Sequence, residues 1–157
     1  MKLIHYSAEP LSQVNSVTQN HLVALDGFKP NGVWFSVDDD WKRWCLRENF
    51  HPAALRHATE IVLSESANML TLSTAEQLDL FTRQYSKPCE GLLFLRLEID
   101  WEAVAKQYNG IIIAPYCGER RLRHRWYYGW ACASGCIWNA EAIRELRKVE
   151  VTERIGN

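Results

Sequence analysis

Residues 32–45, GVWFSVDDDWKRWC, constrain the fold more than any other segment of this chain. Residues 33–37 are β-branched or aromatic and follow the turn-forming residues 29–32, so they predict a strand. Three acids at 38–40 then predict a helix start. Three further side chains recur at helical spacing: Trp41, Trp44 and Cys45. Such a unit forms either an ordinary core strand and helix, or a sheet edge that holds an aromatic ring beside a phosphate.

The rest of the chain alternates short strand and helix patterns. Strand patterns lie at 3–7, 59–64, 69–72 and 111–114, with weaker strand or extended candidates at 22–25 and 91–97; helix patterns lie at 74–85, 101–108 and 140–147. We find no repeat, linker or low-complexity segment. The sequence therefore predicts a single α+β domain over 1–157, with short helices and two small packed sheets of mixed or antiparallel strands.

The composition limits the partners and the compartment. Eighteen basic and nineteen acidic residues leave a net charge of -1, so any affinity for nucleic acid must come from a local patch. No apolar run approaches the ~20 residues that cross a bilayer, and the first residues lack the apolar core of a signal peptide. We expect a cytoplasmic protein that is not inserted in a membrane. Its five cysteines form no CxxC pair, so we expect reduced thiols and no metal.

The segments LIHYS at 3–7 and GVWFS at 32–36 resemble the start of an ADP-ribosyltransferase domain. The branch concerned includes diphtheria toxin and the poly-ADP-ribose polymerases. His5 matches the family histidine, Trp34 stands where its first tyrosine usually stands, and Trp44 or Trp41 takes the second ring position. The resemblance covers about 45 residues and is only topological beyond them. It implies NAD as co-substrate and no metal cofactor.

The resemblance also implies how NAD would be held. His5 would bind the ribose hydroxyls, and two aromatic rings would enclose the nicotinamide, whose positive charge adds a cation–π attraction of about 1 kcal/mol. The residues expected to contact NAD are His5, Tyr6, Ser7, Trp34, Phe35, Ser36 and Trp44. The alternative is that His5 is a core histidine whose ring nitrogens form hydrogen bonds within the fold.

The catalytic acid of the family has no obvious counterpart. The family carries Glu, Asp or Gln in a late strand, whereas this chain has WACASGCIW at 130–138 and no acid between Glu119 and Glu141. Three interpretations stay open. The protein is a binding-only relative, or Glu119 enters from the preceding loop, or Ala131 or Ala133 replaces the acid, as in a transferase made harmless. We favour Ala131 over Ala133.

A basic loop followed by aromatic residues is the candidate for target recognition. A surface of this kind can bind single-stranded nucleic acid, because the cations neutralise phosphates and the aromatic rings stack on bases. The residues assigned to this role are Arg120, Arg121, Arg123, Arg125, Trp126 and Tyr127. An RNA or DNA acceptor is therefore favoured over a protein, and a solvated loop that enters a core strand is the alternative.

Three functions compete. The first is transfer of ADP-ribose from NAD to a macromolecule by a toxin or phage-defence effector, which an antitoxin protein would neutralise. The second is a non-catalytic module that binds NAD, ADP-ribose or single-stranded nucleic acid. The third is a hydrolase in which Cys132 or Cys136 pairs with His124. The acids at 38–40 suit a divalent ion as well as helix capping, and capping is favoured.

Overall fold

The structure, a computed structural model, describes residues 1–20, 29–88 and 97–151. The strands are β1 (Leu3–Ser7), β2 (Val33–Val37), β3 (His57–Leu63), β4 (Met69–Leu72), β5 (Ser86–Pro88), β6 (Leu97–Ile99), β7 (Gly110–Ile113), β8 (Ser134–Ile137) and β9 (Ile143–Val149). The α-helices are α1 (Asp40–Glu48), α2 (Ala75–Tyr85) and α3 (Trp101–Ala105). The predicted strands near 3–7, 33–37, 69–72 and 111–114 are thus confirmed to within a residue.

Seven of these strands form one mixed sheet in the order β4-β7-β8-β2-β1-β3-β9. The pair β4–β7 is parallel, and the other described pairs are antiparallel. Strands β5 and β6 make a separate ribbon. The predicted α+β class is confirmed, although one large sheet and a small ribbon take the place of two small sheets.

The large sheet must curl, because β3 and β4 are consecutive in sequence but stand five positions apart in it. A flat sheet would separate them by about 24 Å, at ~4.8 Å per strand. The link from Leu63 to Met69 spans at most about 22 Å when fully extended. These two strands do not pair with each other: β3 pairs with β1 and β9, whereas β4 pairs with β7.

The sheet is weakest in its middle, between β1 and β2. Only two residue pairs join these five-residue strands, Leu3 with Val37 and Ile4 with Ser36. Beyond Ile4, β1 stays paired with β3, while β2 stays paired with β8. The two halves of the sheet therefore separate at this point and open a cleft.

Strand alternation divides the buried side chains between two clusters. In β7, Ile111 and Ile113 join an aromatic-rich cluster, whereas Ile112 faces a second, mainly aliphatic one. In β2, Trp34 packs against the aromatic cluster and Phe35 belongs to the other. The aromatic cluster includes Phe81, Tyr85, Trp101, Trp126, Tyr127, Trp130 and Trp138. The face of the sheet that carries Trp34 is thus lined with rings.

Helix α1 begins where the acids predict, but a serine supplies the cap. Asp39 occupies the N-cap position without a side-chain hydrogen bond, and the Ser36 hydroxyl accepts a bond from the Trp41 N–H at 2.9 Å. Asp39 and Asp40 form ion pairs with Arg43. The buried Ser36 therefore fixes the angle between β2 and α1.

The predicted helix over 140–147 is wrong, because residues 143–149 form strand β9. Ile143, Leu146 and Val149 are half-buried at a spacing of three, which resembles a helical pattern. A register shift opposite Val62 and Leu63 accounts for the spacing of three between Ile143 and Leu146 within an antiparallel pair. The candidates at 22–25 and most of 91–97 lie outside the described residues. Within the described part of the chain, no helix has the length and apolar character needed to cross a membrane.

Candidate functional site

A pocket of about 300 Å³ lies where β1 and β2 separate. Its described lining comes from β1, β2, β8, α1, residues 29 and 54 and the loop before β8. The lining residues are Ile4, His5, Tyr6, Lys29, Trp34, Phe35, Ser36, Trp41, Ala54, Gly129, Trp130, Ala131, Cys132 and Ser134. This volume is at the lower end of the range of ligand sites, about 300–1,000 Å³.

His5 and Trp34 meet in this pocket although 29 positions separate them. The His5 Nδ1 lies 2.6 Å from the Trp34 carbonyl oxygen. A carbonyl only accepts, so Nδ1 carries the proton and donates it. In the neutral imidazole, Nε2 is then a hydrogen-bond acceptor, which suits a ligand hydroxyl.

Aromatic rings form much of the pocket wall. Trp34 and Trp130 pack edge to face with ring centroids 4.9 Å apart. The Nε1–H of Trp130 is buried and has no acceptor among the described residues. Trp41 lines the pocket, and Trp44 stacks on Trp41 at 5.0 Å without reaching the lining. Of the two candidates for the second ring, Trp41 is therefore the one in the pocket, and the assignment of Trp44 is corrected.

One lysine carries the fixed charge of the described lining. The Lys29 Nζ lies 5.1 Å from the centroid of the Trp34 ring, a cation–π arrangement. Tyr6 contributes a phenol whose pKa is raised, chiefly by burial and further by the negative charge of Asp39. Ser134 adds a hydroxyl, which donates to the Cys132 carbonyl oxygen. The described wall of the pocket is therefore mainly aromatic and includes one lysine.

The three candidate positions for the acid fall in different environments. Ala131 lines the pocket, whereas Ala133 is 5% exposed and packs in the aliphatic cluster. The side chain of Glu119 is 68% exposed and lies outside the lining. Because β8 begins only at Ser134, residues 131–133 do not alternate as strand residues, and Ala131 and Ala133 lie in different environments.

The described lining contains no carboxylate. Asp40 comes near, since its Oδ2 accepts a hydrogen bond from the Ala133 N–H at 3.2 Å. This contact ties the first turn of α1 to the loop that carries Ala131. Asp40 thus helps to position the loop but does not line the pocket.

The cysteines near the pocket are poor nucleophiles. Burial raises the pKa of Cys132 to about 11 and raises that of Cys136 further. Both thiols are therefore protonated at neutral pH. His124 binds Asp79, with its Nε2 2.6 Å from Oδ1. This geometry gives no support to a Cys–His hydrolase.

The basic loop is anchored to α2 by Asp79. Arg120 donates from Nε and Nη2 to the two carboxylate oxygens, at 3.0 and 3.1 Å, and His124 contacts the same carboxylate. These hydrogen bonds lower the pKa of Asp79 to about 2. Arg120 is thus a structural residue, and only 19% of its side chain is exposed.

The assignment of Trp126 and Tyr127 as stacking surfaces is corrected, because both are core residues. Trp126 is 3% exposed and donates from Nε1 to the Thr82 hydroxyl. Tyr127 is fully buried, and its hydroxyl accepts from the Cys117 N–H. The exposed ring is Tyr128, which lies under the Arg121 guanidinium. Arg121, Arg123 and Arg125 remain on the surface.

The Asp79 cluster predicts an acid-dependent loss of stability. An unfolded Asp has a pKa of ~3.9, so the cluster contributes stability fully above pH ~5 and loses it as the pH falls towards 2. Asp79→Asn should be less stable than the parent at pH 7, with a difference that shrinks below pH 4. Urea unfolding at several pH values measures this. Glu65→Gln, which alters an exposed carboxylate in the link between β3 and β4, is the matched control, and a pH-independent difference for Asp79→Asn would contradict the prediction.

Two further outcomes concern the sequence-based site. Ser7 does not line the pocket, because its hydroxyl turns to the Glu9 carbonyl oxygen, so its assignment is corrected. The sequence did not predict seven of the lining residues: Ile4, Lys29, Ala54, Gly129, Trp130, Cys132 and Ser134. Residue 29 begins the turn-forming segment 29–32, and residue 130 begins the segment 130–138. No local sequence pattern marks Ala54 as a pocket residue. In the described ranges, no group of three His, Cys, Asp or Glu side chains could hold a metal ion.

A scan against protein-family models and searches of curated proteins and of solved structures found no match to this chain.

Proposed function

We propose that this domain binds NAD in the pocket between β1 and β2. We further propose that the pocket is of the kind that transfers ADP-ribose from NAD to a macromolecular acceptor. The described lining of the pocket lacks the carboxylate that such a transfer requires. The observation that carries the proposal is the meeting of His5, Trp34 and Trp41 in one pocket, with Ala131 in its wall. These are the positions that the family resemblance implies for its histidine, its two rings and its acid.

The geometry of His5 supports a role in holding the ribose. Its Nδ1–H is held by the Trp34 carbonyl, so the ring orientation is fixed and Nε2 is the remaining polar atom. A neutral imidazole nitrogen accepts a hydrogen bond from a sugar hydroxyl. The aromatic residues Trp34, Trp41 and Trp130 would then pack against the nicotinamide end.

Acceptor recognition is assigned to the surface that precedes the pocket wall. Arg121, Arg123, Arg125 and Tyr128 are exposed, and the chain passes from them directly into Gly129 and the pocket. Three cations beside an exposed ring favour RNA or DNA over a protein as acceptor. Such an activity fits a toxin or defence effector that an antitoxin protein neutralises.

One observation favours a second function, that of a non-catalytic binding module. The described residues that line the pocket include no Asp or Glu. Without a carboxylate beside the sugar, the positive charge that develops when nicotinamide leaves has no counter-charge. The protein would then bind NAD or ADP-ribose without consuming it.

Calorimetric titration with NAD tests the shared first step. We expect binding, and we expect His5→Ala and Trp34→Ala each to weaken it by roughly 1–3 kcal/mol, the usual cost of losing a ligand hydrogen bond or a stacked ring. Ser7→Ala, which changes a side chain outside the lining, should bind as the parent does. Absence of binding for both NAD and ADP-ribose at millimolar concentration would rule out both functions at this pocket.

A further inference from the structure

Three aromatic rings on and just after helix α1 pack on one another outside the core. Trp41 and Trp44 stack with their ring planes 11° apart and their centroids 5.0 Å apart. Phe50 packs edge to face on both, at 5.9 Å from Trp41 and 5.3 Å from Trp44. The aromatic and aliphatic clusters formed by the described residues include none of the three. We call these three rings the α1 aromatic surface.

The backbone after α1 fixes the position of Phe50. The residues on either side of it, Asn49 and His51, have positive φ values of 51° and 37°. Side chains other than glycine rarely adopt this left-handed conformation. The Phe50 N–H donates to the Cys45 carbonyl oxygen at 2.9 Å, and the His51 ring packs edge to face on Phe50 at 4.3 Å. The chain therefore turns back at this point and brings Phe50 against the two tryptophans.

The α1 aromatic surface is open to solvent and continuous with the pocket. Phe50 is 40% exposed, and Trp41 and Trp44 are half-buried. Trp41 lines the pocket, whereas Trp44 and Phe50 lie outside its described lining. Exposed apolar surface beside a cleft is typical of a binding site. A ligand that begins in the pocket and extends beyond Trp41 would therefore meet Trp44 and Phe50 next.

The charges of α1 distinguish between the possible occupants of this surface. Residues 38–48 contain four acids and three basic residues. Arg43 pairs with Asp39 and Asp40, and Arg47 pairs with Glu48. A nucleic-acid backbone requires an excess of cations, which this segment lacks. An uncharged base has no such requirement, because it stacks on aromatic side chains through its own ring face.

We infer that Trp44 and Phe50 form an adenine subsite for a nucleotide whose other end lies in the pocket. NAD and ADP-ribose are ligands of this class. In both, two sugars and a diphosphate separate the adenine from the end that would enter the pocket, so the two ends can occupy separate sites. The inference depends on the proposed binding of NAD and adds the place of its second base. Trp44, which the resemblance assigns to the nicotinamide, contacts the opposite end of the same ligand.

Calorimetric titration of the full chain with NAD, ADP-ribose and nicotinamide mononucleotide tests the inference, because the mononucleotide lacks the adenine half of NAD. We expect NAD to bind about tenfold more tightly than the mononucleotide, the effect of one stacked base. Trp44→Ala and Phe50→Ala should each weaken NAD and ADP-ribose binding about three- to tenfold and leave mononucleotide binding unchanged. Trp44→Phe keeps a ring at this position and should retain most of the affinity.

The controls separate this inference from the proposed function. Leu46→Ala removes a side chain of the same helix that is 61% exposed, and it should change none of the three affinities. Thermal melting checks that each variant is folded. If NAD binds but Trp44→Ala leaves its affinity unchanged, or weakens the mononucleotide as much as NAD, only the inference is overturned. If neither NAD nor ADP-ribose binds, the proposed nucleotide pocket and the inference are overturned together.

Discussion

Ala131→Glu should make the domain consume NAD, with a rate at least about 10²–10³-fold above that of the parent chain. In the reaction, the bond between the ribose C1′ and the nicotinamide nitrogen breaks, and nicotinamide leaves as a neutral molecule with the electron pair. The acceptor oxygen or water then bonds to C1′ and loses its proton. The sugar is cationic in between, so a carboxylate held beside it in an enclosed pocket stabilises the transition state.

Release of nicotinamide from NAD, followed by chromatography, measures this effect. Ala131→Gln is the matched control, because it has similar size without the charge and should remain inactive. The gain should appear in kcat rather than KM, since the ground state does not require the acid. Activity that arises from Ala133→Glu but not from Ala131→Glu or Ala131→Asp would show that position 131 is not the site of the acid.

Ala133→Glu is expected to fail for a structural reason. Ala133 is 5% exposed within the aliphatic cluster, and its N–H already binds Asp40. A glutamate there would bury a charge without a partner, which destabilises the fold. Loss of folded protein rather than gain of activity is thus the expected outcome for that control.

Trp126→Ala should destabilise the domain by about 3–5 kcal/mol, the range for large aromatic residues lost from a core. The Trp126 ring contacts Phe81, Trp101, Tyr127 and Trp130. Its removal also leaves the Thr82 hydroxyl without this donor. A loss of this size is a large part of the roughly 5–15 kcal/mol that stabilises a typical domain.

Tyr128→Ala is the matched variant two positions later. Tyr128 is 55% exposed, so its replacement should change stability by less than about 1 kcal/mol. Urea unfolding followed by tryptophan fluorescence and by circular dichroism measures both variants. Equal stabilities for Trp126→Ala and the parent would mean that Trp126 is a surface residue, which is the role that the basic, ring-rich pattern predicts.

The aromatic residues show why the candidate site was predicted only in part. Trp34 and Trp126 both occur in ring-rich segments, and composition does not distinguish them. Trp34 reaches a pocket because β2 separates from β1, whereas Trp126 is enclosed by α2 and α3. The choice between Trp41 and Trp44 depended on the orientation of α1, which Ser36 helps to fix through a hydrogen bond.

The sequence by itself determined the elements with strong local patterns. Residues 33–37 form a strand because β-branched and aromatic side chains favour extended backbone, and α2 begins after Thr74 because its hydroxyl accepts from the Gln77 N–H. Only the tertiary structure decided that 143–149 is a strand. Its apolar residues recur at every third position, as in a helix. The segment is nevertheless extended, because its backbone N–H and C=O groups pair with those of β3. Tertiary structure also decided which of the candidate residues share a pocket, because their meeting depends on the cleft between β1 and β2, and no local pattern encodes that separation.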